Sequence, residues 1–132
     1  MEILSVISNR HDEMIDITGA VQSIISKQGI RSGICMIYTP HTTAAITINE
    51  NADPSVVNDI ITGLNHLNFE KIQFKHAEGN SPSHIKSSII GCSELVCIEK
   101  GILQLGTWQG IYFCEFDGPR SRNVYIKIIH SE

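Results

Sequence analysis

Three of the chain's six histidines stand where chemistry is easiest to place. His41, His76 and His84 each abut turn residues and small hydroxyl side chains, whereas His11, His66 and His130 fall in a turn, a helix and the terminal strand and read as surface or cap residues. Neutral imidazoles are the commonest metal ligands, and three of them around one ion with an open fourth position is the arrangement of catalytic zinc. The spacing of 34 and then 7 intervening residues matches no local zinc motif. A histidine group held by hydrogen bonds in a polar cleft therefore competes with a metal centre. His41 and Thr42 also enter a strand that leaves through Glu50, Asn51 and Asp53, so a histidine and a carboxylate-amide cluster bracket one short element.

A second constellation suits anions. Gly79-Asn80-Ser81-Pro82 reads as a turn leading into a helix, with Asn80 or Ser81 as cap and Pro82 in the first turn. A helix start offers free N–H groups and a partial positive charge, and Ser83, His84, Lys86, Ser87 and Ser88 follow within two turns. Most serine-rich helix starts are only caps. Arg120 and Arg122, in the last turn of the chain, add fork-like cations that could reach a ligand rim, and Arg120 is fixed by the preceding Gly118-Pro119. A third candidate is Gly106-Thr107-Trp108-Gln109-Gly110, where glycines frame the only tryptophan as if backbone were held near a ligand or a partner. No nucleophile triad or dinucleotide fingerprint is present, and Gly101-x4-Gly106 lacks the ending of a P-loop.

The elements that must carry these residues alternate between strands and short helices. Glu2–Ser8 and Glu13–Ile17 read as strands, and Thr18 is placed to cap a helix whose apolar face is Val21, Ile24 and Ile25, ended by Gly29. Ser32–Tyr38 is a strand with its exit fixed by Pro40, and Ala44, Ile46 and Ile48 alternate through the next one. Asp53 and Pro54 then start a helix to Leu67, with Val56, Val57, Ile60, Ile61 and Leu64 on one face. Asn68–Lys75 is an irregular connector, and the serine-rich helix closes at Gly91. Two hairpins follow: Ser93–Glu99 with Ile102–Gly106 across Lys100-Gly101, and Ile111–Phe116 with Asn123–His130 across Asp117–Arg120. Residues 1–132 form one unit without repeat or linker. The expected class is α+β, a β-sandwich-like core of mostly antiparallel strands with about three flanking helices.

Composition excludes whole classes. A net charge of −4 and few aromatics argue against a nucleic-acid partner. No run approaches the roughly 20 apolar residues of a membrane span. The opening MEILSVISNRHDE lacks the form of a signal peptide, so the expected location is cytoplasmic. Cys35, Cys92, Cys97 and Cys114 have no CxxC spacing and read as small buried hydrophobes.

Three stretches, HTTAAITINENADPSVVND, HAEGNSPSHIKSS and SELVCIEKGILQLGTWQGI, resemble the YjbQ-like family, also described as the secondary thiamine-phosphate synthase family. The resemblance covers nearly the whole chain, with the first thirty residues least distinctive. It implies a homotrimer and a pocket where His41, His76 and His84 hold a divalent metal, zinc before magnesium. It places Glu50 and Asp53 beside His41 as catalytic groups, with Asn51 and Asn80 adjoining. Together with the local readings, it gives a substrate site of Thr42, Asn51, Asn80, Ser81, Lys86, Ser87, Trp108, Gln109 and Arg120. Many relatives carry an acid directly after the second histidine, whereas this chain has Ala77 and then Glu78. The implied activity is thiamine phosphate formation, in which hydroxymethylpyrimidine diphosphate loses pyrophosphate to thiazole phosphate. The alternative is a non-catalytic protein that binds a small ligand or metal in the same pocket.

Overall fold

The computed structural model describes residues 1–67 and 69–131; Asn68, the first residue of the expected connector, lies outside them. The strands are β1 (Glu2–Ile7), β2 (Glu13–Asp16), β3 (Gly33–Tyr38), β4 (Ala44–Glu50), β5 (Ser93–Glu99), β6 (Ile102–Leu103), β7 (Gln109–Glu115) and β8 (Ser121–His130). The helices are α1 (Thr18–Lys27), α2 (Pro54–Asn65) and α3 (Ser81–Ile90). All pairings are antiparallel, in a five-stranded sheet ordered β1-β8-β3-β5-β6 and a three-stranded sheet ordered β2-β7-β4. The fold is α+β with a sandwich-like core, as the strand pattern implies.

Period-two alternation builds that core. Val6, Cys35, Ile37, Val96, Ile98, Val124 and Ile126 face inward from the large sheet and meet Ile46, Ile111 and Phe113 from the small one. Helix α1 contributes Val21 and Ile25, both fully buried. The other face of the small sheet forms a second cluster, in which Ala45, Tyr112, Cys114 and Phe116 pack against Val57 and Leu64 of α2 and Ile90 of α3. The small side chain of Ala45 lets α3 lie close over β4. Burial raises the thiols of Cys35 and Cys114 to about 11 and about 12, while Cys92 and Cys97 are exposed and depart from the expected burial.

The helix ends follow local rules with two changes. Asp53 caps α2 by accepting the Ser55 N–H at 2.9 Å, with Pro54 in the first turn, and the helix stops at Asn65, short of Leu67. Thr18 is the first residue of α1 and not its cap, because the Asp16 carboxylate accepts the Thr18 N–H and hydroxyl.

One expectation fails outright. The hairpin across Lys100-Gly101 forms, but β7 and β8 belong to different sheets. Asp117–Arg120 is a crossover between the two layers. The passage is tight: a Cβ on Gly118 would lie 2.2 Å from the Arg10 carbonyl oxygen and 2.7 Å from Ser8 Oγ, so the chain passes through a slot that only glycine fits. The crossover delivers Asp117, Arg120 and Arg122 to the strand ends where His41 lies.

The outward face of the large sheet has no layer over it among the described residues. Ile34 of β3, itself exposed, is flanked by Cys97 of β5 and Ile129 of β8, and Ile3, Leu95, Ile102 and Ile129 are more than half exposed.

Candidate functional site

His41 follows the kink at Pro40, between β3 and β4. Its Nε2 accepts the Asn123 backbone N–H at 2.9 Å. The remaining ring proton therefore sits on Nδ1, and the imidazole acts as a neutral N–H donor. Burial lowers its proton affinity first, and the Arg122 charge second, so the neutral form prevails at pH 7. His84 lies in the first turn of α3, and His76 precedes that helix. Their rings are edge-to-face, with centroids 5.4 Å apart at 85°.

The three imidazoles line one polar cavity of about 410 Å³, walled on one side by Pro40, Thr42 and Thr43 and on the other by Glu78, Asn80, Asp117, Arg120 and Arg122. That volume suits a small metabolite. A second recess of about 380 Å³ is mainly apolar, is bounded by Phe74, Ser81 and Ile85, and shares His76 and His84 with the first. A polar compartment and an apolar one thus meet at two imidazoles.

The floor of the polar cavity is a buried ion pair. Glu115 is fully buried and takes Arg122 through Nε (2.9 Å to Oε1) and through a short contact from Nη2 to Oε2. Ser8 Oγ and the Asp117 N–H complete the carboxylate's partners, at 2.7 and 3.1 Å. Burial pushes the Glu115 carboxyl up, but these donors outweigh it and hold it below the usual carboxylate range. Arg122 Nη2 also donates to Thr43 Oγ1 at 2.8 Å. Above this pair, Asp117 Oδ2 accepts from Asn80 Nδ2 at 2.9 Å and Arg120 Nη2 at 3.2 Å, and His11 Nε2 lies 3.7 Å from Asp117 Oδ1.

Several sequence candidates stand elsewhere. Lys86 is buried, ion-paired to Asp12 at 2.8 Å and bonded to Asn65, so it is a structural cation and does not reach the cavity. Ser87 Oγ is spent on the Ala44 carbonyl, and Ser83 Oγ on that of Phe116. The helix start offers little to an anion, since the Ser83 and His84 N–H groups bond back to the Asn80 carbonyl and Pro82 has none. Glu50, Asn51, Asp53, Trp108 and Gln109 gather at the far end of β4. A strand advances about 3.4 Å per residue, which puts them roughly 20–25 Å from His41 within one chain. There Asn51 bonds to the Trp108 carbonyl and to Asp16, and it packs so closely on Gly110 that a Cβ would meet its Nδ2 at 2.5 Å. Gln109 closes its own turn on the Gly106 N–H, and Trp108 is 62% exposed. Asp53 is occupied as a helix cap. The carboxylates brought to the histidines are instead Asp117 and Glu78, with Glu115 beneath. Glu115 and Arg122 had a signal in the sequence: they are the charged residues closing one apolar strand run and opening the next.

The separation of His76 and His84 is that of an ordinary edge-to-face contact, and two imidazoles on one tetrahedral ion would stand roughly 5 Å apart as well, so the spacing leaves room for an ion without marking one. His41 does not join them as folded, because its Nε2 lone pair is engaged by Asn123 and its Nδ1 carries the proton. No group of three or more His, Cys, Asp or Glu is arranged around a common ion among the described residues.

Comparison with known proteins agrees along the whole chain. The family model described as UPF0047 protein YjbQ-like matches residues 2–131. A UPF0047 protein of Methanocaldococcus jannaschii is 57% identical over 122 residues, covering 92% of this chain and 88% of that protein. The UPF0047 protein YugU of Bacillus subtilis is 51% identical over 130 residues and 98% of each chain. The crystal structure of an uncharacterized conserved protein of the YjbQ/UPF0047 family from Clostridium acetobutylicum superposes with a TM-score of 0.94 at 49% identity, covering 98% of this chain and all of that one.

Proposed function

This chain belongs to the UPF0047 YjbQ-like family, and on that premise we propose that it is an enzyme acting on a small phosphorylated substrate in the histidine cavity. The observation carrying the proposal is the meeting of a polar compartment, bearing Arg120, Arg122 and His41, with an apolar recess across His76 and His84. The nameable reaction is thiamine phosphate synthesis. The bond from the pyrimidine methylene carbon to the diphosphate oxygen breaks, pyrophosphate leaves with the electron pair, and the thiazole nitrogen bonds to that carbon. The apolar recess suits a planar ring, while Arg120 and the His41 Nδ1–H suit the phosphate oxygens. Within the proposal, His76 and His84 are the residues that would hold a divalent ion, zinc before magnesium, and such an ion would supply positive charge to the leaving oxygens.

A binding role is the second reading, favoured by one observation: both arginines are already engaged by carboxylates, an arrangement that can hold a ligand without turning it over. Turnover separates the two. Incubation with hydroxymethylpyrimidine diphosphate and thiazole phosphate, with metal content measured on the same preparation, is expected to release pyrophosphate, and His84→Ala is expected to abolish that release. Saturable binding of both compounds with no product would overturn the enzymatic reading.

The proposal extends to a cytoplasmic homotrimer. No helix among the described residues is long and apolar enough to cross a membrane. The uncovered face of the large sheet, with Leu95 66% and Ile129 63% exposed, supports self-association. Light scattering is expected to return three times the chain mass at micromolar concentration, and a stable monomer would overturn the assembly.

A further inference from the structure

The buried pair under the cavity bears on how the site handles charge, an inference that rests on the anion-binding reading above. Glu115 engages Nε and Nη2 of Arg122, and Thr43 takes Nη2 as well; Nη1 has no acceptor among the described residues although Arg122 lines the cavity. The guanidinium is thereby fixed in orientation, with one nitrogen left for a ligand. Its charge is matched by a carboxylate in a site where Arg122 is only 4% exposed and Glu115 is not exposed at all. Water screens such a pair little, so the field of the arginine is largely cancelled at the cavity.

We propose that Glu115 is a positioning and charge-setting residue: it makes Arg122 a directional N–H donor carrying little net charge. On this side, the cavity reads oxyanion geometry through a directed N–H group, which the Arg120 guanidinium and the His41 Nδ1–H complement as further donors. Each arginine is already paired with a carboxylate, Asp117 on Arg120 and Glu115 on Arg122, and Glu78 adds a further acid to the cavity wall. The diphosphate of the proposed substrate would thus be held more by directed hydrogen bonds than by net charge, and a monophosphate would keep most of those bonds.

The test is titration with inorganic phosphate and with pyrophosphate at low salt, in the wild type and in Glu115→Gln. The amide oxygen keeps an acceptor for Ser8 and Arg122 Nε, the amide NH2 replaces the oxygen that met Arg122 Nη2 and the Asp117 N–H, and the compensating charge is removed. Phosphate affinity is expected to rise about tenfold, pyrophosphate affinity to rise further, and both gains to shrink as sodium chloride is added. In Glu115→Gln/Arg122→Gln the gain should vanish. Should Glu115→Gln be poorly folded, phosphate is expected to raise its Tm by more than it raises the wild-type Tm, since the anion replaces the missing charge. Unchanged or weaker phosphate binding by Glu115→Gln, with no extra Tm rescue, would reduce Glu115 to a packing role. Failure of the wild type to bind phosphate at all would overturn the anion reading itself, and this inference with it.

Discussion

Arg122→Ala is expected to cost about 3–5 kcal/mol of stability, because it strands a buried carboxylate without its partner. Glu115 would keep Ser8 and the Asp117 N–H, but its negative charge would lie in the sandwich with no cation near, and the crossover that hangs on it would loosen. For a chain of this size, that loss corresponds to a fall in Tm of roughly 10–20 °C by calorimetry. Replacing both partners by apolar residues, as in Arg122→Met/Glu115→Leu, should restore much of the loss, because no bare charge remains.

The sign with pH follows from the depressed carboxyl. Its contribution is fully present above the unfolded carboxyl value of 4.5 and is lost as pH falls through the lower folded value. Wild-type stability should therefore drop on acidification below about pH 4, and the double apolar variant should lose less over the same window. A Tm of Arg122→Ala within about 3 °C of wild type would show that the pair does not hold the crossover, since that interval corresponds to under about 1 kcal/mol.

Arg120→Ala is the second large effect, on binding. Arg120 is half exposed and bonds to Asp117 through both its backbone carbonyl and its carboxylate. Removing it deletes a charge-assisted contact worth roughly 1.5–3 kcal/mol, so phosphate affinity should fall about tenfold to a hundredfold by calorimetric titration at low salt. The loss is compounded because Asp117 then faces the anion without its arginine. Lys86→Met is the informative contrast: it should lower stability by stranding Asp12 while leaving phosphate affinity unchanged, since Lys86 Nζ is bound to Asp12 and Asn65 inside the fold. Equal phosphate affinity in Arg120→Ala and wild type would remove the support for a phosphorylated substrate.

Local pattern determined most of the elements. Alternation marked β4, Asp53-Pro54 marked the start of α2, and Lys100-Gly101 marked a hairpin that forms with left-handed φ at both residues. These features depend on neighbours within a few residues, which is the range over which capping, turn geometry and side-chain period act. The three histidines were also legible, because polar rings beside turns have no use in a core.

Only the tertiary structure decided which charges join them. Asp117–Arg120 has the composition of a hairpin turn, but it crosses to the other sheet through a slot at Gly118, with the buried Glu115–Arg122 pair joining the two strands it connects. That crossover brings Asp117 and Arg120 to His41 and leaves Glu50, Asn51 and Trp108 at the opposite end of β4. Lys86 was assigned to the ligand by its place in a helix start, yet a partner 74 residues away claims it. Contacts between residues so far apart in the chain carry no local signature, because they are selected by how whole sheets and helices pack.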